Sequence, residues 1–203
     1  IGSRRFETHV RPEVRVLLAE LEPMVGRSLD PEDADEWLPL LGGLARIVGA
    51  SLRNSANPTR LDAGYQNNVV PSSAEAIVDA RFLPGHEEEL MADLRELAGP
   101  GVDLEVLTHG PALETAFSGA LVDAMCDAIR AEDPAGIPVP YMLTGGTDAK
   151  VFSPMGIRCF GFAPLRLPAA LDFPSLFHGI DERVPVDALQ FGVRVLDRFL
   201  THS

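Results

Sequence analysis

The fold class is decided by residues 74–101, which read AEAIVDARFLPGHEEELMADLRELAGPG. Apolar and polar residues alternate over 74–82, and this period of two predicts a half-buried strand. After Pro84-Gly85 the apolar residues recur at helical spacing over 87–98, which predicts an amphipathic helix that ends at Gly99. A strand followed at once by such a helix is typical of a sheet with a helix on one face.

The alternation returns after this helix and predicts a further strand. Its apolar positions are Val102, Leu104 and Val106. With another strand placed after Ser51, the order over 51–108 becomes β-β-α-β. This part of the chain is therefore predicted to be an α+β layer with an antiparallel sheet and a helix on one face.

The first 50 residues are predicted to be helical and irregular. Pro12 suits a first helical turn, and it precedes apolar residues at helical spacing: Val14, Leu17, Leu18 and Leu21. A second helix is expected to start at Asp30-Pro31, with an N-cap, a proline at the first helical position and acidic residues in the first turn. Its apolar face is predicted to be Trp37, Leu40, Leu41, Leu44 and Ile47.

Beyond Gly110, where we place a domain boundary, helices alternate with short buried strands. Helices are expected after Ser118, from Asp148 to Gly156 and from Asp187, and buried strands over 139–143 and 157–162. The last helix is predicted to face inward through Leu189, Val193, Leu196 and Leu200. This alternation is typical of part of an α/β sheet, so the overall fold class is α/β.

Composition excludes several classes of protein. The chain has 17 basic and 30 acidic residues, a net charge of −13, which argues against nucleic acid or an anionic membrane as a partner. No apolar run is long enough to span a bilayer, and residues 1–7 lack the apolar core of a signal peptide.

Cys126 and Cys159 lie far apart, which argues against a disulfide scaffold and for a reducing compartment. We therefore expect a cytoplasmic protein, and the missing initial Met suggests that the chain begins inside a longer one.

Two segments could carry chemistry in the second half of the chain. Thr144-Gly145-Gly146-Thr147-Asp148 lies between a predicted strand and a predicted helix, where exposed N–H groups favour an anion such as a carboxylate. The alternative is a tight turn capped by Thr147 or Asp148. His178, beside Gly179 and ahead of a helix start, has room to reach a metal or a substrate, but a single histidine in such a place is more often an ordinary polar loop residue.

Two segments in the first half have similar alternatives. Arg81, on the polar face of its strand, could grip a carboxylate with two hydrogen bonds, or it could pair with Asp79. The run His86-Glu87-Glu88-Glu89 resembles a metal cluster. Because it falls in a first helical turn, where acidic residues are favoured and consecutive side chains diverge, we interpret it as a solvated face.

The order of four segments is more specific than any one of them. They are NNVVP at 67–71, DARFLPG at 79–85, GGTDA at 145–149 and HGIDERV at 178–184. Together they resemble the family of acetylornithine deacetylase, succinyl-diaminopimelate desuccinylase, aminoacylase and glutamate carboxypeptidase. That resemblance implies a catalytic α/β domain with two zinc ions, interrupted by a lid with a four-stranded antiparallel sheet and two helices, which commonly mediates dimerisation.

The resemblance also implies a domain division and a set of site residues. Residues 1–111 would be the lid or dimerisation domain, incomplete at its N-terminus, and 112–203 the last part of the catalytic domain. His178 matches a zinc ligand. The residues that match substrate-binding positions are Asn68, Arg81, Gly146 and Thr147, and the first two of these would hold the substrate's carboxylate, often across a homodimer.

The chain also departs from the family pattern. The H-x-D motif and the Glu-Glu pair that supply most zinc ligands and the general base are absent, so no catalytic residue is assigned here and the general-base Glu is expected upstream. The resemblance thus implies a zinc-dependent hydrolase of N-acyl amino acids or peptides, of which this chain would be an inactive part. The alternative is a non-catalytic carboxylate-binding or dimerisation module derived from that family. A serine hydrolase is disfavoured because no GxSxG segment occurs.

Overall fold

The structure is a computed structural model that describes residues 2–202, apart from the side chain of His202. It is mixed α/β. The α-helices are α1 Pro12–Val25, α2 Ala34–Trp37, α3 Leu44–Ala50, α4 Glu87–Ala98, α5 Ala120–Glu132, α6 Ala149–Phe152 and α7 Val186–His202. The strands are β1 Ser55–Ala63 and β2 Ala74–Arg81. Short 3₁₀ helices cover Pro31–Asp33, Leu38–Leu41, Ser153–Met155 and Phe173–Leu176.

The chain divides into two compact units. The sheet unit contains the residues up to His9 together with Arg53–Leu113. The helical unit contains Val10–Leu52 together with the residues from Glu114 onward. The assignment of 1–111 to a lid and of 112–203 to a catalytic domain stays a prediction.

The sheet unit is built on an antiparallel pair, β1 with β2. Their register runs from Ser55 opposite Arg81 to Ala63 opposite Ala74. It shifts between Pro58 and Arg60, because proline has no N–H to donate to the ladder and such positions favour a bulge. The predicted strand at 74–82 is thereby confirmed.

Helix α4 covers the end of this pair that includes Ser55 and Arg81. The buried residues of the small core are Phe6, Ala56, Leu90 and Leu94. Val78, Ala80 and Phe82 from the predicted inward face of β2 pack against them. The helix bounds and its Gly99 end agree with the prediction, and the Gly99 N–H donates to the Arg95 carbonyl.

The strand predicted over 102–106 is wrong. Residues 102–113 form no helix or strand, and Val102, Leu104 and Val106 are exposed. Alternating apolar residues make a strand only where a neighbouring strand can take up the backbone hydrogen bonds. Among the described residues the sheet of this unit has two strands, β1 and β2.

The helical unit has its largest core in its first segment. Helix α1 buries the four residues predicted for it, and they pack with Leu29, Ala34, Trp37, Val48 and Leu52. The second predicted helix starts as expected, since the Asp30 carboxylate accepts from the Glu32 N–H at 3.0 Å. It does not continue, because Pro39 interrupts it and Gly42 turns the chain at φ 55° and ψ −128°. Leu40 and Leu44, expected inside, are exposed.

A second core lies between α5 and α7. Val122, Met125 and Cys126 of α5 pack against Phe160 and Phe162. On α7 the buried hydrophobic residues are Ala188, Phe191 and Val195. The predicted inward face of α7 is wrong: its four residues are Leu189, Val193, Leu196 and Leu200, and they are 50%, 66%, 37% and 74% exposed.

Backbone proximity explains which face of α7 turns inward. A Cβ at Gly192 would lie 2.6 Å from the Pro164 carbonyl oxygen, so the face with Gly192 and Ala188 can approach the neighbouring backbone where larger residues cannot. Glu132, at the end of α5, accepts hydrogen bonds from Arg194 at 2.8 Å and Arg198 at 2.5 Å on α7. Small residues and this double ion pair fix the orientation of α7.

The buried strands predicted over 139–143 and 157–162 are also wrong. Both segments are irregular in the structure, and Tyr141, Leu143 and Ile157 are exposed. The short helix predicted after Asp148 is confirmed as α6, which a 3₁₀ turn extends to Met155. Among the helices of residues 2–202, none combines the length and apolar composition that a bilayer crossing requires.

Candidate functional site

His178 lies on a tight turn of the helical unit. The Gly179 N–H donates to the Leu176 carbonyl at 3.0 Å, and Phe177 has φ −59° and ψ 124°. His178 follows with φ 60°. These angles are those of a type II turn, whose third position normally holds glycine or asparagine.

A histidine at this position is conformationally costly. Among the described residues it is the one non-glycine with positive φ. Such a conformation costs on the order of 1–3 kcal/mol and is concentrated at functional sites. The His178 side chain is exposed, so the turn presents its imidazole to the outside of the unit.

The Gly145-Gly146-Thr147 segment is exposed and irregular. A Cβ at Gly146 would meet nothing within 4 Å. Helix α6, which follows, has only four residues, and its N-cap Asp148 makes no side-chain capping hydrogen bond. Of the two caps considered for a tight turn here, Asp148 makes no capping hydrogen bond, and open space lies beside Gly146.

Arg81 binds Asp79 on the polar face of β2. Its Nε donates to Asp79 Oδ1 at 2.8 Å and a terminal nitrogen donates to Oδ2 at 2.7 Å. The Arg81 hydrogen bonds hold the pKa of Asp79 below its usual range, and Asp79 in turn raises the pKa of Arg81. The guanidinium thus already binds a carboxylate in the two-bond geometry that a substrate carboxylate would need.

Asn68 and Arg81 belong to opposite ends of the β1–β2 pair. Asn68 lies in the exposed connection between β1 and β2, whereas Arg81 is the last residue of β2. The length of β2 alone separates Ala74 from Arg81 by roughly 23 Å at the usual rise per residue. The connection that holds Asn68 therefore starts and ends at the opposite end of the strand pair from Arg81.

A group that the sequence did not predict lies in the sheet unit. His9 Nε2 lies 2.8 Å from Glu89 Oε1, and His86 Nδ1 lies 2.9 Å from Glu89 Oε2. The two imidazole rings stack with centroids 3.7 Å apart and planes at 18°. The interpretation of the 86–89 run as a solvated face is therefore wrong for His86 and Glu89, which are half-buried.

Local spacing in the sequence links only two of these three residues, His86 and Glu89. His86 and Glu89 are three residues apart at the start of a helix, a spacing that places two side chains on one face. His9 is 77 positions away from His86 along the chain and reaches it only through tertiary structure. The hydrogen bonds from His9 and His86 hold the pKa of Glu89 below its usual range, so that carboxyl stays ionised at neutral pH.

A second histidine–carboxylate pair lies nearby on the same helix start. His109 Nε2 lies 2.6 Å from Glu87 Oε1, and its ring stacks on Phe82 with centroids 6.2 Å apart. The His109 and Glu87 side chains are 54% and 41% exposed, and no third ligand group joins them among the described residues. The His109–Glu87 pair is therefore a suitable control for the group of His9, His86 and Glu89.

The described residues do not supply a two-zinc centre at His178. Within the part of the chain that the structure describes, the one group of three His, Cys, Asp or Glu side chains close enough to share an ion is His9, His86 and Glu89. His178 is not among them. A co-catalytic pair needs several ligands and a bridging carboxylate, so one imidazole cannot hold it.

Several known proteins are similar to this chain in sequence. A Mycobacterium tuberculosis protein that carries the name of succinyl-diaminopimelate desuccinylase, DapE, is 27% identical over 162 residues, which is 76% of this chain and 40% of that protein. Bovine (Bos taurus) N-fatty-acyl-amino acid synthase/hydrolase PM20D1 is 26% identical over 82% of this chain and 35% of its own length. Human aminoacylase-1 is 28% identical over 72% of this chain and 36% of its own length.

The chain thus spans between 35% and 40% of the length of these relatives. No solved structure matches it at a significant level. The profile of one family matches nearly the whole chain, from residue 5 to residue 202, and includes all four segments that carried the resemblance. The chain belongs to peptidase family M20/M25/M40.

Proposed function

We propose that this chain is part of a zinc-dependent hydrolase that cleaves the amide bond of an N-acyl amino acid or a peptide. The observation that carries the proposal is the family match over residues 5–202. The names of the three relatives, a desuccinylase, a synthase/hydrolase of N-fatty-acyl amino acids and an aminoacylase, agree on an acyl–amino acid substrate. The proposed substrate carries a free carboxylate.

His178 is proposed as one zinc ligand of the complete protein. Its exposed imidazole on a costly type II turn supports this role, because ordinary loop positions would favour glycine there. Bound zinc would supply an activated water and polarise the scissile carbonyl. The remaining ligands and the general base are not among the described residues, so the chain alone is proposed to be inactive.

Arg81 is proposed to hold the substrate carboxylate. Its guanidinium is already presented in two-bond geometry to Asp79, and a substrate would have to compete with that side chain. Because Asn68 lies at the other end of β2, the proposal assigns the two residues of one substrate site to two subunits of a homodimer. Gly146 and Thr147 would line the acyl side through their open backbone.

The test uses the full-length protein and a panel of N-acyl amino acids. His178→Asn keeps a residue that tolerates positive φ but removes the imidazole, so the fold should persist while zinc content and hydrolysis fall. His109→Asn, in the exposed Glu87 pair, is the matched control and should keep both. Undiminished hydrolysis by the His178→Asn protein would contradict the proposal.

The carboxylate role is tested separately by KM. Arg81→Lys keeps the charge but loses the two-bond fork, and should raise KM by about tenfold or more with a smaller change in kcat. Asp79→Asn frees the guanidinium from a competing carboxylate and should lower KM. Equal KM values for substrates with and without the free carboxylate would argue against this role.

A non-catalytic carboxylate-binding module is the second candidate. It is favoured by the lack of a ligand group around His178 among the described residues. Such a module would bind N-acyl amino acids without metal and without turnover. Isothermal titration in the presence of a chelator, run beside the hydrolysis assay, separates the two functions.

A further inference from the structure

The strongest unassigned feature is the His9–His86–Glu89 group of the sheet unit. One ligand atom from each of the three side chains can be chosen so that all three lie within 4.8 Å of one another. Their side chains are 18%, 23% and 34% exposed, so an ion could reach them from solvent. None of these residues belongs to the substrate or metal set that the family resemblance implies.

Each of the three residues is held in place by the fold. The chain before His9 is anchored by the buried Phe6 and by a bridge between Thr8 and Arg53. Glu89 lies in the first turn of α4. His86, the residue before that helix, has its backbone fixed from both sides.

Buried Asn54 fixes the backbone at His86. Its amide nitrogen donates to the His86 carbonyl at 3.1 Å, and its carbonyl oxygen accepts from the Leu83 N–H at 2.8 Å. The His86 N–H donates to the Leu83 carbonyl at 3.0 Å. Asn54 is only 2% exposed, and its side chain bridges Leu83 and His86. This bridge holds the His86 imidazole close to His9 and Glu89.

We propose that His9, His86 and Glu89 bind a divalent transition-metal ion, with Zn²⁺ as the best fit. Two imidazole nitrogens and one carboxylate form a ligand set that zinc accepts in tetrahedral geometry, with a fourth position for water. In such a site adjacent ligand atoms lie about 3.3 Å apart, given metal–nitrogen distances of about 2.0–2.1 Å. The three ligand atoms lie within 4.8 Å of one another, so the side chains must rearrange locally to share an ion.

The movement needed is an opening of the imidazole stack. Parallel rings direct their in-plane lone pairs side by side, whereas a shared ion requires those lone pairs to converge. Rotation of the part-exposed His9 and His86 rings supplies the convergence, and the ionised Glu89 remains between them. Without metal, the same three groups satisfy one another as hydrogen-bond partners.

The experiment titrates the metal-free 203-residue chain with Co²⁺, and then displaces the Co²⁺ with Zn²⁺. We expect one equivalent to give the visible absorption of four- or five-coordinate cobalt. His9→Gln and His86→Gln keep a polar side chain but remove the imidazole ligand. Each should weaken binding by about 100-fold or more, since even outer-shell changes cost 10–100-fold.

Two controls keep the result specific. His109→Gln alters the comparable exposed pair with Glu87 and should leave the cobalt spectrum and affinity unchanged. His178→Gln should also leave the cobalt spectrum and affinity unchanged. The titration therefore tests this site independently of the role proposed for His178. Far-UV circular dichroism checks that every variant is folded.

The proposal is overturned by either of two results. One is the absence of saturable binding by the folded wild-type chain at micromolar metal. The other is saturable binding that the folded His9→Gln and His86→Gln variants retain at wild-type affinity, whatever the two control variants do.

Discussion

Two segments of the helical unit are similarly apolar but differ in what they build. The helical segment, Val10–Leu52, closes a core in which Val14, Trp37 and Leu52 are fully buried. The extended segment, residues 137–165, contains only α6 and a 3₁₀ turn, and many of its apolar side chains are exposed. Apolar content alone did not decide which segment formed a core.

The difference comes from where each backbone finds its hydrogen bonds. A helix satisfies its own N–H and C=O groups, so an amphipathic helix needs only a second apolar surface. A buried strand needs neighbouring strands on its edges and layers on both faces. The extended segment has buried-strand sequences at 139–143 and 157–162, but among the described residues no strand pairs with them.

The largest expected effect comes from the closed core. Trp37 is fully buried, and its Nε1 donates to the Asp30 carbonyl at 2.6 Å. Trp37→Ala should lower the free energy of unfolding by about 3–5 kcal/mol, measured by urea denaturation. Leu40→Ala, in the same segment but exposed, should change it by less than about 0.5 kcal/mol. Equal effects would show that this core is not closed.

A smaller effect is expected where the extended segment meets α7. An alanine Cβ at Gly192 would lie 2.6 Å from the Pro164 carbonyl oxygen, so the backbone must shift. Overpacking costs about 1–3 kcal/mol, against a helix-propensity gain of up to about 1 kcal/mol. Gly192→Ala should therefore destabilise the chain by about 1 kcal/mol in urea. Gly146→Ala, which meets nothing within 4 Å, is its control.

A pH-dependent effect is expected at the α5–α7 ion pairs. Hydrogen bonds from Arg198 and then Arg194 lower the pKa of Glu132 in the folded protein. Its stabilising contribution is therefore present above the unfolded pKa and is lost as the pH falls through the folded pKa. Glu132→Gln should lower the melting temperature at pH 7, and the difference from wild type should shrink in acid.

A control for that titration lies on the same helix. Asp127→Asn removes an exposed partner of Arg130 at 3.5 Å and should leave the melting temperature nearly unchanged. A Glu132→Gln difference that grows as the pH falls would contradict the ion-pair explanation.

The smallest effect is expected within the extended segment. Leu143 is 52% exposed, so Leu143→Ala should change the free energy of unfolding by less than about 0.5 kcal/mol. In a buried strand the same change would cost about 2–5 kcal/mol. A loss of that size in the 203-residue chain would show that Leu143 is buried. The extended segment would then not differ from the helical segment in this respect.

The sequence predicted local structure better than burial. Helices α1, α4, α5 and α7 were found close to their expected positions, because caps, breakers and apolar spacing act within a few residues. The inward face of α7 was not predicted correctly, because apolar spacing favours large residues such as Leu189 and Val193 over small ones. Close approach at Gly192 decided otherwise.

At the candidate site, too, some features followed from the sequence and others only from the structure. The order of four short segments identified the family, whereas the positive φ of His178 is a feature of the folded chain that its neighbours in sequence did not predict. The sequence did not show that Arg81 binds Asp79 in two-bond geometry or that Asn68 lies at the far end of β2. Those facts depend on rotamers and on strand length.

By itself, then, the sequence determined the family, the main helices and the β2–α4 unit, since each depends on local pattern or on the order of motifs. Tertiary structure alone decided which apolar residues are buried and which polar groups meet. The clearest case is the union of His9 with His86 and Glu89, because a contact across 77 positions is set by how the chain packs and leaves no trace in local spacing.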